Sequence, residues 1–262
     1  MSEIIKTNWN NKSDEYFSKD LDCYDAIIQN PEKAFPAAVY PLIKKYIGDL
    51  HGKKVLVPSS GDNIGAFGLC LLGAKVLSCD IAEKQLENAK LLANKYNLKD
   101  IEFVCQDSMT LEKIADNAYD LVYTSNGVHV WIDNIRGMYE NIFRVLKPGG
   151  HNIFFETHPM IRPFDNTTYE IKVKKLYEDI EPHGNDVTYA WRTQDFVNAV
   201  TSAGFYVKEM QEFHSVREDL KSHNYLYSKD DEKINWPEDT FDWKVNPWAA
   251  LPQCLFLCSQ KK

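Results

Sequence analysis

Lys54-Val-Leu-Val-Pro-Ser-Ser-Gly-Asp-Asn63 decides the reading of this chain. The apolar run passes abruptly into a polar loop, and the residues behind it, Ala66–Leu72, are apolar and of helical length. A strand covered on both faces reads as a continuous apolar run rather than an alternation. Strand, loop and helix in that order form the first half of a βαβ unit.

The unit repeats outward. Val76-Leu-Ser-Cys-Asp80 predicts a second buried strand, and Glu83–Tyr96 a helix with Leu86, Ala89, Ala93 and Tyr96 on one face. Ile101–Cys105 and Ala118–Tyr123 predict a third and a fourth strand. Ile135–Val145 predicts a helix carrying Met138, Ile142 and Val145. Lys147-Pro-Gly-Gly150 stops it, since Pro cannot continue a helix and Gly takes left-handed angles. Asn152–Glu156 is a fifth strand, Arg192–Ala203 a helix and Gln253–Cys258 a terminal strand; Pro41–Tyr46 precedes the first strand as a helix. The expectation is an α/β protein, a doubly wound parallel sheet with helices on both faces, folded as one domain over residues 1–262. Two segments, 157–190 and 215–250, break the alternation. Both begin on the ligand side of such a sheet, and their aromatics (Tyr169, Tyr177, Tyr225, Tyr227, Trp236, Trp243, Trp248) suit the walls of an enclosed pocket.

The 262 residues carry 30 Lys+Arg against 38 Asp+Glu, a net charge of −8. That balance argues against nucleic-acid binding, which rests on cations neutralising phosphates. The basic stretch Lys172–Lys175 is followed by Glu178, Asp179 and Glu181 and reads as a solvated face. No apolar run reaches the length of a membrane span, and Met1–Asn11 lacks the apolar core of a signal peptide. A cytoplasmic protein that does not engage membranes is expected. The six cysteines form neither a CxxC pair nor a zinc spacing; Cys70, Cys79, Cys105, Cys254 and Cys258 sit among apolar residues and read as buried free thiols. No metal-ligand set is visible.

Ligands of a doubly wound sheet bind beyond the carboxyl ends of the strands. Four such ends carry polar residues. The first is Ser59-Ser60-Gly61-Asp62-Asn63, where small residues allow close approach and the next helix offers free backbone N–H groups. The second is Asp80, placed to take a ribose diol, with Ile81 and Gln85 behind it. The third is Asp107, followed by Ser108, which suits an adenine amino group. The fourth is Ser125-Asn126-Gly127. The alternative reading makes Asp80 a cap for the helix that follows, and Asp107 the cap of a short helix at Ser108–Ile114. A pyrophosphate carrier wants G-x-G-x-x-G and little negative charge. This loop lacks that spacing and holds Asp62, which tolerates a cationic, phosphate-free nucleoside better.

Val55-Leu-Val-Pro-Ser-Ser-Gly-Asp-Asn63 and Leu72-Gly-Ala-Lys-Val-Leu-Ser-Cys-Asp-Ile81 together resemble the first two motifs of class I S-adenosylmethionine (SAM)-dependent methyltransferases. Gln106-Asp-Ser108, Tyr119-Asp-Leu-Val122 and Phe143-Arg-Val-Leu-Lys-Pro-Gly-Gly150 resemble the later ones, the last being the most specific. The resemblance covers about residues 50–157. It implies a Rossmann-like seven-stranded sheet that is mostly parallel, with an antiparallel last strand supplied by Phe205–Glu212 and Gln253–Ser259. It also implies SAM as cofactor. Ser59, Ser60, Gly61 and Asn63 would then face the methionine end, Asp80, Ile81 and Gln85 the ribose and adenine, Asp107 and Ser108 the adenine, and Asn126 and Gly127 the sulfonium. The first loop departs from the family, which typically has an acid where Val57 stands and glycines in place of Ser59 and Asn63. Asn8–Phe17 resembles the N-terminal helix that lids the cofactor in small-molecule methyltransferases, with Tyr16 near the carboxylate or sulfonium; residues 1–40 would form that cover.

Methyl transfer is an in-line displacement that needs a base only when the acceptor loses a proton. His129 and His158, just beyond the fourth and fifth strands, are the candidates, each also readable as a hydrogen-bonded loop histidine. The expected activity is methylation of a small-molecule acceptor. A non-catalytic binding protein of this fold and a nucleotide-dependent oxidoreductase are the alternatives. The sequence leaves the oligomeric state open.

Overall fold

The structure, a computed structural model, describes residues 2–19, 21–165, 170–184, 187–214, 216, 218–219 and 241–262. Seven strands form one sheet: β1 (Lys54–Val57), β2 (Lys75–Asp80), β3 (Ile101–Cys105), β4 (Tyr119–Thr124), β5 (Leu146–Thr157), β6 (Tyr206–Phe213) and β7 (Cys254–Gln260). Their order is β3-β2-β1-β4-β5-β7-β6. β1 through β5 run parallel, with Val55 opposite both Val76 and Leu121, while β7 is antiparallel to both its neighbours, β5 and β6. The strand order reverses between β1 and β4, and a crevice at that reversal is where doubly wound folds take ligands.

The two-residue side-chain period of the strands sorts the core into two layers. Val55, Val57, Leu121, Tyr123, Ile153 and Phe155 face one side, against α2 (Leu21–Gln29), α3 (Val39–Ile47), α4 (Ile64–Leu71) and α5 (Glu83–Lys95). Leu56, Val122, Phe154, Leu255 and Leu257 face the other, against α6 (Ile135–Val145) and α7 (Thr193–Ser202). The remaining helix, α1 (Ser2–Lys19), lies along α5.

The predicted bounds of β1, β3 and α6 coincide with the structure. The short helix expected at Ser108–Ile114 does not form. Asp107 accepts the Met109 N–H, Leu111 takes a positive φ of 45°, and Arg144 donates to the carbonyls of Leu111 and Ile114, so these residues make turns held from outside. Cys105, expected to be buried, is partly exposed, because β3 is the sheet edge; the other four expected thiols are buried, and all six cysteines are free. Lys172–Lys175 is on the surface. Of the aromatics assigned to the two long segments, Tyr177, Trp243 and Trp248 are described: Tyr177 and Trp243 are exposed, and Trp248 is buried with Phe164 edge-on at 6.0 Å. Tyr169, Tyr225, Tyr227 and Trp236 lie outside the described residues.

Candidate active site

The loop after β1 is built from backbone that side chains rarely adopt. Ser59, Gly61 and Asn63 all have positive φ, at 51°, 51° and 62°. Side-chain struts hold it. Ser78 on β2 donates to Asn63 Oδ1 at 2.5 Å and bonds the Ser60 hydroxyl at 2.9 Å, and Asn63 Nδ2 donates to the Gly61 carbonyl. Ser60 and Asn63, read from sequence as facing the methionine end, therefore have their side chains committed inside the loop. Ser59 reaches the other way and bonds the Ser108 hydroxyl at 2.7 Å, joining the first and third strand ends.

Asp80 ends β2 as a clamp between elements. Its Oδ2 takes the Gly61 N–H at 3.0 Å and its Oδ1 the Ala82 N–H at 2.9 Å. Asp80 is not the cap of the helix that follows: the N-cap residue of α5 is Ala82, and Asp80 holds the N–H of that residue, in front of the first turn. Burial pushes its carboxyl up from the ordinary value against the pull of those N–H donors. Each carboxylate oxygen has lone pairs beyond the one N–H it holds, which is what a ribose diol requires. Ile81 beside it is partly exposed, and its carbonyl accepts from Cys105 Sγ. Asp107 is half-buried at the end of β3. Gln106, next to it, is buried with an Nε2 that has no partner, and Thr124 at the end of β4 has an unpartnered, buried Oγ1.

A small cavity of about 10 Å³ lies between the first loop, α1, α2 and α5. Tyr16, Gly61 and Gln85 line it together with Asp62, which the sequence reading used only as a charge. Above the carboxyl edge, Trp9 of α1 packs at 5.4 Å from both Tyr16 and Trp131, so α1 bridges from α5 to the segment after β4. Asn126 and Gly127 sit there, half-exposed.

Gly127 is fixed from below by Glu156, a residue the sequence reading passed over. Glu156 is fully buried at the end of β5. It accepts N–H bonds from Gly127 at 2.7 Å, His129 at 3.2 Å and Thr157 at 2.8 Å, plus one from the His129 ring at 3.0 Å. Burial alone would raise its pKa; the His129 bond, Arg162 and the Gly127 N–H outweigh that and hold it below the ordinary value. The His129 ring is 1% exposed, with Nδ1 on Glu156 and Nε2 on the Tyr139 hydroxyl at 2.8 Å. His158, 2% exposed, accepts the Met160 N–H on Nδ1 and so donates from Nε2 to Glu212 at 2.7 Å. The two histidines named as bases thus have both ring nitrogens occupied.

The donor set fits a nucleoside without phosphates. Carboxylates end β2 and β3, a small-residue loop ends β1, and the polar groups at the edge include unpartnered ones. Residues 58–154 match the family described as a methyltransferase domain. The chain is 30% identical over 213 residues to a demethylmenaquinone methyltransferase of Lactococcus lactis, covering 74% of this chain and 81% of that one. It is also 30% identical over 165 residues to a sterol 24-C-methyltransferase of Gibberella zeae; there it spans 38% of the relative's length. Among solved structures it resembles a SAM-dependent methyltransferase of Mesorhizobium loti, with a TM-score of 0.64 at 17% identity over 86% of this chain and 98% of that one. With a geranyl diphosphate C-methyltransferase of Streptomyces coelicolor, solved with S-adenosyl-L-homocysteine, the TM-score is 0.61 at 9% identity over 86% and 79% of the two chains. Sheet order, strand-end chemistry and these relatives agree: the chain belongs to the class I SAM-dependent methyltransferases, and SAM is its cofactor.

Proposed function

We propose that this chain, folded as a single domain, moves a methyl group from SAM to a small organic acceptor by in-line displacement. The observation that carries the reading is the Asp80–Gly61 clamp, which sets a buried carboxylate and a small-residue loop side by side at the strand reversal. The cofactor supplies a methyl on a sulfonium, already a good leaving group. The protein's part is binding, alignment and exclusion of water, effects worth several kcal/mol when the geometry is good. Asp80 holds the ribose, Asp107 and Ser108 lie toward the base, and the loop capped by Gly127 stands against the reacting centre. Tyr16 and Trp9 on α1 close the edge against water. With the nitrogens of His129 and His158 engaged elsewhere, the acceptor supplies its own electron pair, with no histidine base.

Relatives named for sterol and quinone methylation support an apolar small-molecule acceptor. Buried Trp248, packed against Phe164, supports a pocket wall where the two long segments meet. The net charge of −8 counts against nucleic acid, and no helix among the described residues is long and apolar enough to cross a membrane.

Calorimetric titration with SAM, S-adenosylhomocysteine and NADPH, on the natural protein and on Asp80→Ala, tests the reading. Binding of the first two, weakened about tenfold or more in the variant by loss of hydrogen bonds to a charged group, is the expected result. Binding of NADPH alone would favour the oxidoreductase. SAM binding without turnover over a panel of quinols, sterols and phenols would favour the non-catalytic protein.

A further inference from the structure

Tyr123, the penultimate residue of β4, is completely buried, yet its hydroxyl has no hydrogen-bond partner. A buried, unsatisfied hydroxyl costs about 1–3 kcal/mol, and phenylalanine would fill the same space without that cost. The ring's surroundings say where the group is aimed. Its edge lies against Gly65, in the first turn of α4, so closely that a Cβ there would sit 2.9 Å from Tyr123 Cε1 and 3.9 Å from Ser125 Oγ. Phe35 packs edge-on against the ring at 5.6 Å. Burial raises the hydroxyl's pKa, and the negative charge of nearby Asp62 adds to that rise. Asp62 itself accepts the Ile64 N–H through Oδ1, and the N-cap residue Asn63 gives α4 no side-chain cap. The N-terminus of α4 therefore combines N–H groups, the positive end of a helix dipole, an unpartnered phenol and a neighbouring carboxylate.

That combination matches an α-amino-acid zwitterion. A carboxylate would take the phenol O–H and the helix N–H groups, and an ammonium on the next atom would be drawn to Asp62. Resting on the family reading that SAM is the cofactor, we propose that the Tyr123 hydroxyl is a binding contact for the methionine carboxylate of SAM, seated at the N-terminus of α4. No sequence motif marks this residue; it stands inside an ordinary buried-strand run.

The test compares the natural protein with Tyr123→Phe in calorimetric titrations of S-adenosylhomocysteine, SAM and 5′-methylthioadenosine, with thermal melts of the ligand-free proteins alongside. The expected result is that the variant binds S-adenosylhomocysteine and SAM about tenfold or more weakly. 5′-Methylthioadenosine, which lacks the amino-acid group, should bind within about twofold of its natural affinity. The ligand-free variant should melt no lower than the natural protein, because nothing paired is lost. Unchanged S-adenosylhomocysteine affinity would overturn the proposal. So would an equal loss for 5′-methylthioadenosine, which would mean a disturbed loop, or a lower melting temperature, which would mean a structural partner for the hydroxyl. If the natural protein binds none of the three, the cofactor reading fails and this inference goes with it; if it binds them and the variant matches it, only the inference fails.

Discussion

Asn10 caps a helix to which it does not belong. Its Oδ1 accepts the Lys84 N–H in the first turn of α5 at 3.0 Å, and its Nδ2 donates to Glu83 Oε2 at 3.3 Å. The N-cap residue of α5 is Ala82, which has no side-chain oxygen to offer. The cap comes from α1 instead, so seating of the covering helix and integrity of α5 are one event.

Asn10→Ala should accordingly loosen both elements. A lost N-cap costs about 1 kcal/mol. Hydrogen exchange should quicken across α1 and the first turn of α5 while β1 and β4 keep their protection. Lys6 pairs with Glu83 in the same place and, with Asn10, holds that carboxyl down at about 2 from 4.5. Because the folded value is the lower one, this contribution is complete above pH 4.5 and fades as pH falls from there toward 2. Glu83 is half-exposed, so water and salt screen the pair and the effect stays small.

Glu156→Gln should destabilise the protein by about 2–4 kcal/mol, measured by urea unfolding. The substitution leaves an amide nitrogen facing N–H donors in a buried site, and disrupting a buried charged network costs several kcal/mol. The natural carboxyl has its pKa lowered on folding. Its stabilisation is therefore present above the ordinary value of 4.5 and is lost as pH falls through the lower, folded one. The variant should lose this part of the acid-unfolding profile.

Lys261→Met should lower stability by about 2 kcal/mol or more, because hydrogen bonds from a charged donor each contribute about 1.5–3. The Lys261 ammonium donates to the carbonyls of Phe143 at 2.7 Å and Leu146 at 2.8 Å and to Asn117 Oδ1 at 2.9 Å. It closes the C-terminal end of α6, where carbonyls have no partner within the helix. Thermal melts of the two proteins measure the difference.

A thiol reagent applied to the native protein should label Cys23 and Cys105 and spare Cys70, Cys79, Cys254 and Cys258. The spared four are buried, and burial pushes Cys79 and Cys258 up to about 12 and Cys70 to about 11, so almost no thiolate is present at neutral pH. Peptide mapping after brief labelling checks the pattern.

The central strands are legible because they are covered on both faces. Val55-Leu-Val57 is apolar in a way only a buried strand needs, whereas Ile101–Cys105, with Glu102 exposed, lies at the sheet edge. Leu21–Gln29 carries no clear helix signal for α2, since nine residues with mixed polarity become a helix only by packing Tyr24 and Ile27 against the core. Lys147–Gly150 reads as a stop, and α6 does end just before it at Val145, yet the chain continues straight into β5 with Leu146 paired to Tyr119. At the site, Asp80 and Gly61 were readable as strand-end chemistry. The inward turn of Ser60 and Asn63 was not, because it depends on Ser78 of another strand. The same holds for the histidines: Glu156, Tyr139 and Glu212 lie 10 to 54 residues away in the chain.

The place of β7 in the sheet sets an order of assembly. β6 precedes it in the chain but, among the described residues, pairs with no other strand; it joins the sheet through β7, whose residues pair with β5 on one side and β6 on the other. A chain emerging from the ribosome can build β1 through β5 as soon as they are made, while β6 must wait for residues 254–260. Until then the open flank of β5 (Asn152, Phe154 and their neighbours) is an unpaired strand edge, the kind of surface on which nascent chains aggregate. A truncation before residue 254 would therefore fail during synthesis, through precipitation of the half-built sheet, rather than yield a protein lacking one strand.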